Sequence, residues 1–131
     1  MEYEDATYLD GKGECRIGYQ NSHAFLHWVA MNSPHFERIL KEALKIYPCS
    51  PSQPWGIIIY QDGVDPSDGL AKNHSRKSCV FYSSFLQLGM RALSHEEVWD
   101  TLTCMRVLET NKLENKTGQL TQKAMKRFFL P

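Results

Sequence analysis

The clearest periodic signal in the chain lies in SPHFERILKEALKIYP, where Phe36, Ile39, Leu40, Ala43, Leu44 and Tyr47 recur at alternating steps of three and one. That spacing puts all six on one helix face. Ser33 offers a capping hydroxyl, Pro34 suits the first helical position because its missing N–H would have had no intrahelical partner, and Pro48 stops the run. A helix is expected over 34–47, preceded by a shorter one over 22–31 in SHAFLHWVAM.

The pattern then changes. CSPSQP is built of turn formers, and WGIIIYQD is a short continuous apolar run rich in β-branched residues. Such a run, bounded by Pro and Gly, predicts a strand over 55–62 buried on both faces, at the centre of a sheet. After the polar stretch GVDPSDGLAKNHSRK, the aromatic-rich SCVFYSSFLQ predicts a second strand over 78–87, paired with the first. Ser94-His95-Glu96-Glu97 has the form of a capping box, and Val98, Leu102, Met105 and Leu108 follow at helical spacing, so a helix is expected over 94–110. A last amphipathic helix is expected over 117–129, with Leu120, Ala124, Met125 and Phe128 on one side. The expected organisation is a polar, acidic segment over 1–20 and a single α+β domain over 21–131. Its small antiparallel sheet, of two to three strands, is flanked by helices. No internal repeat is evident.

Composition supports a globular chain. A protein of 131 residues buries roughly two-thirds of its unfolded surface, and 42% hydrophobic against 23% charged residues is far from a disordered composition. The formal net charge is zero, which provides no global attraction to nucleic acid or membranes. The charges are nonetheless segregated. Glu2, Glu4, Asp5, Asp10 and Glu14 make the start acidic, whereas Lys112, Lys116, Lys123, Lys126 and Arg127 make the end basic. Two solvated faces explain this, and so does a basic helix that touches phosphate. Cys15, Cys49, Cys79 and Cys104 are widely spaced, with no zinc-ligand grouping, and read as reduced thiols. With no signal-peptide pattern and no apolar run near about 18 residues, an intracellular, soluble protein without a membrane partner is expected. Nuclear and cytoplasmic locations are not distinguished.

Asp62 is the leading candidate for chemistry, because a carboxylate at the end of a rigid strand suits a hard cation such as Mg²⁺. Asp65-Pro66-Ser67-Asp68-Gly69 reads as a turn, and Asp62-Gly63 can be read the same way. An EF-hand register fails: counting from Asp62, the positions that need an acid, a Gly and a Glu hold Val64, Ser67 and Asn73. His23 and His27 share a helix face at metal-ligand spacing but lack a third ligand, and Cys79, Ser83 and Ser84 lack an adjacent base. Lys72, Arg76 and Lys77, with Lys123, Lys126 and Arg127 in the last helix, are candidate contacts to a nucleic-acid backbone.

The segment WGIIIYQDGVDPSDGLAKNHSRKSCVFYSSFLQLGMRALSHEEVW resembles part of a large, repetitive, mobile-element-associated protein family of algal protist genomes. In that family an apolar strand ending in Tyr-Ser-Asp-Glu precedes a Lys-containing loop, an aromatic strand, and Leu-Ser-x-Glu-Glu followed by Trp. The resemblance spans about a third of the chain. More weakly, the strand-then-Asp element is similar to the first catalytic strand of RNase H-like DDE transposases. It implies a partial RNase H-like fold, Asp62 as the first metal-binding carboxylate, and Mg²⁺-dependent strand transfer or nuclease chemistry on DNA. On this resemblance the chain is expected to be a fragment or degenerate copy of a transposase-like protein without catalytic activity of its own. A small protein–protein interaction domain with a structural Asp-rich loop is the alternative.

Overall fold

The computed structural model describes residues 1–66 and 76–129. The chain is α+β. Its five strands are β1 (Glu2–Thr7), β2 (Glu14–Tyr19), β3 (Ile57–Val64), β4 (Ser78–Phe85) and β5 (Asp100–Arg106). Among the described residues there are five α-helices: α1 (Ser22–Asn32), α2 (Pro34–Ile46), α3 (Gly89–Leu93), α4 (Val107–Thr110) and α5 (Thr117–Phe129). Short 3₁₀ turns cover Leu86–Leu88 and Glu96–Val98. The strands form one sheet in the order β1-β2-β5-β4-β3, and β2 is antiparallel to both its neighbours.

Three expectations are corrected here. Residues 1–20, expected as a polar, acidic segment ahead of the α+β domain, form the β1–β2 hairpin of its sheet, paired from Glu2↔Tyr19 to Thr7↔Glu14. Its turn depends on Gly11, whose φ of 65° is one that L side chains rarely adopt; Asp10 Oδ1 accepts the Lys12 amide beside it at 3.0 Å. Residues 94–110 are not one helix, because the segment holds β5, the middle strand of the sheet. Val98, Leu102 and Met105 fit a helical period, but DTLTCMR also carries β-branched Thr101 and Thr103, and its buried positions serve a strand. The capping box is not formed either. Ser94 ends α3 and its hydroxyl donates to the Arg91 carbonyl at 2.7 Å. Finally, WGIIIYQD is not at the sheet centre. Its IIIYQD part lies in β3, which pairs only with β4 among the described residues; Ile58 and Ile59 are half-buried while Ile57 and Tyr60 are about half exposed. A continuous apolar run carries no period from which to tell a central strand from an edge one.

The chain forms two compact units, one of residues 1–20, 61–81 and 102–131 and the other of residues 21–60 and 82–101. In the first, Ile17, Tyr19, Leu102, Leu113 and Leu120 are almost wholly buried. Tyr19 meets Phe128 of α5 edge-on, with ring centroids 5.9 Å apart, and the Thr103 hydroxyl donates to the Gly18 carbonyl at 2.7 Å. In the second, Val29, Phe36, Ala43, Leu88, Ala92 and Val98 form the core, with Trp55, Phe85 and Trp99 packed against it. The α2 start is as the sequence predicts: Ser33 Oγ accepts the Phe36 amide at 3.2 Å and Pro34 takes the first position. No helix among the described residues is long and apolar enough to cross a membrane.

Candidate functional site

In the second unit, Tyr60 of β3, Tyr82 of β4 and Thr101 of β5 line one cavity with Glu96 and Trp99 from the turn that precedes β5. The strand order explains the first three, since β3, β4 and β5 are successive neighbours in the sheet. Trp99 and Thr101 are two residues apart in extended backbone and so share a face. The Trp99 amide donates to the Glu96 carbonyl at 3.1 Å, which closes the 3₁₀ turn and holds that acid beside the indole. The indole is itself fixed: its N–H donates to the Leu93 carbonyl at 2.9 Å, and its body packs against the core.

The three rings form a corner. Tyr60 and Tyr82 are near parallel, 22° apart with centroids 6.3 Å apart, whereas Tyr60 and Trp99 are inclined at 59° at the same separation. The cavity is about 640 Å³, within the usual range for a small-ligand site of about 300–1,000 Å³. Aromatic faces carry negative quadrupole density, greatest for Trp, and Glu96 adds a formal negative charge. Chemically, the arrangement suits an organic cation.

Asp100 lies next in the chain to Trp99. Neither carboxylate oxygen has a hydrogen-bond partner of good geometry among the described residues. Burial pushes this carboxyl above the ordinary range, and the nearby Ser22 hydroxyl only partly opposes that. A raised folded-state value contributes stability that is fully present below the unfolded carboxyl range of about 3.9 and is lost as pH rises through the folded value. Asp100→Asn is therefore expected to raise the melting temperature at neutral pH and leave it nearly unchanged in strong acid. Thermal denaturation of both proteins across pH checks this, and an equal shift at every pH would contradict it.

The residues singled out from the sequence are dispersed. Asp62 is exposed near the end of β3, and its Oδ1 accepts the Gly63 amide at 2.7 Å. Among the described residues no three His, Cys, Asp or Glu side chains gather as a metal site; His23 and His27 are exposed on α1. Lys72 and Asp68 lie outside the described residues. Arg76 and Lys77 are exposed just before β4. On α5, Lys126 is exposed, but Lys123 donates to Glu4 and Arg127 pairs with Glu2. The acidic start and basic end thus meet inside one unit. Cys79 is buried and burial pushes its thiol up, away from the reactive thiolate, although a hydrogen bond from Gln61 acts the other way. Ser84 is buried too, its hydroxyl donating to the Val98 carbonyl at 2.7 Å.

Sequence reasoning missed the aromatic corner because its members come from three separate segments. The aromatic content of GIIIYQ, SCVFYSSF and HEEVW was visible, but their meeting depends on β5, which was read as helix. In comparisons with known proteins, no family model matches the chain, and no curated protein or solved structure matches it.

Proposed function

We propose that this protein is a binding module whose aromatic corner captures an alkylammonium group, the head of a methylated lysine on a partner protein or of a free choline-like ligand. The observation that carries this reading is the convergence of Tyr60, Tyr82 and Trp99 on one cavity that also holds Glu96. Glu96 is exposed at this cavity, where its negative charge adds to the attraction of the ring faces for a cation and offers nothing to an apolar ligand. A cation satisfies both, and a site held by strands and an anchored indole is preorganised for it. This reading is the interaction-domain alternative made specific, with a partner chemistry in place of an unnamed surface.

The test is a titration followed on the Trp99 indole N–H resonance with choline, its uncharged isostere 3,3-dimethyl-1-butanol, and a trimethyllysine peptide. Choline and the peptide are expected to shift the resonance and the alcohol to leave it in place. Tighter binding of the peptide assigns a protein partner, and tighter binding of choline a small ligand. A cation–π contact of about 1–2 kcal/mol corresponds to a loss of about tenfold on Trp99→Ala, read by calorimetry. Glu96→Gln should also weaken the cations. Equal response to choline and the alcohol, or cation binding unaffected by both substitutions, would overturn the proposal.

A further inference from the structure

A second cavity in the same unit has the opposite chemistry. It is a groove of about 510 Å³ between α2 and α3, into which α2 contributes His35 and Arg38 while α3 and the residue after Ser94 contribute Arg91 and His95. Its wall is apolar, made by Ile39 and Leu88 among others. Among the described residues neither Arg38 nor Arg91 forms an ion pair. Among the described residues Glu42 is the one acid lining the groove, against the two guanidinium groups of Arg38 and Arg91.

The imidazole is held in place. One oxygen of Glu97 accepts the Ser33 hydroxyl at 3.1 Å, and the other pairs with His35 Nδ1. That hydrogen bond pulls the Glu97 carboxyl below its ordinary range, so it is ionised at neutral pH and accepts the hydrogen bond that His35 Nδ1–H donates. The His95 ring meets His35 edge-on with centroids 5.6 Å apart, which fixes the second imidazole against the first. Arginine is suited to phosphate because its planar fork donates two parallel hydrogen bonds.

We infer that the groove bounded by Arg38, Arg91, His35 and His95 binds a phosphate monoester, with the phosphate between the two arginines and an apolar body on Ile39 and Leu88. The pairing of two guanidinium groups with an apolar wall is what separates this ligand from a bare anion. It is independent of the alkylammonium reading, since no residue lines both cavities.

The experiment is a titration of the intact protein with phenyl phosphate, inorganic phosphate and phenol, followed on the ring resonances of His35 and His95. Phenyl phosphate is expected to bind more tightly than inorganic phosphate, and phenol to leave the rings unperturbed. Arg38→Gln and Arg91→Gln should each weaken phenyl phosphate by about tenfold or more, the scale of a lost charge-assisted bond. Glu42→Gln should strengthen it, a gain that a damaged fold does not produce. Phenol matching phenyl phosphate, affinity unchanged by both arginine substitutions, or weakening on Glu42→Gln would each overturn the inference.

Discussion

Leu120→Ala is expected to lower stability by about 2–5 kcal/mol, the cost of removing a large buried aliphatic side chain and leaving a cavity. Leu120 is 0% exposed, at the centre of the buried face of α5, with Ala124 one turn on at 3%. A small domain has only about 5–15 kcal/mol in total, so the change consumes a large part of it. The same helix carries the Lys123–Glu4 and Arg127–Glu2 pairs, which join it to β1. Those pairs are partly solvated, with Lys123 20% and Glu4 42% exposed, and such pairs contribute only about 0–1 kcal/mol each. Packing therefore wins over charge in holding α5. Urea denaturation of Leu120→Ala, Lys123→Gln and Leu108→Ala decides the ranking. Leu108 is 53% exposed, and its replacement is expected to stay within about 0.5 kcal/mol. A Lys123→Gln loss as large as that of Leu120→Ala would reverse the argument.

The segregated charges illustrate how far the sequence could be read. That the start was acidic and the end basic was plain, and both a solvated face and a phosphate-binding helix accounted for it. Pairing the two ends with each other required β1 to exist, and β1 was hidden because Glu2–Thr7 is mostly polar on a strand whose partner lies across an Asp-Gly turn. Local signals were reliable where the physics is local: the Ser33–Pro34 start of α2 and the amphipathic face of α5 both appear as read. They failed where the sheet decides. Leu102 and Met105 fit a helix by spacing, yet β5 takes them between β2 and β4. The same failure hid the candidate site, because Trp99 and Thr101 meet Tyr60 and Tyr82 only when β5 is a strand beside β4. Asp62 drew attention as the end of a central strand, and the structure leaves it exposed on an edge strand with a local backbone contact. Neither the metal reading nor the turn reading describes that residue, since β3 runs on through Asp62 and Gly63 to Val64.

Phe36→Ala is expected to have the larger functional consequence, because it acts on the second unit's core and on the cation site together. Phe36 is 3% exposed and belongs to the cluster of Val29, Ala43, Leu88, Ala92 and Val98, against which Trp99 packs. Truncating a buried Phe costs about 3–5 kcal/mol, and amide exchange in α1 and α2 should accelerate accordingly. The cap contributes far less: Ser33→Ala removes one helix-capping bond, about 1 kcal/mol. Binding separates a local from a transmitted effect. Phe36 lines neither cavity, so any loss of choline affinity in Phe36→Ala must come through looser support of the indole. An indole N–H resonance that broadens, with choline weakened severalfold while the remaining protein is folded by circular dichroism, is the expected result. Unchanged choline affinity would mean that the hydrogen bond to the Leu93 carbonyl holds Trp99 without the packing behind it, and Leu93, rather than the core, would then be what positions the site.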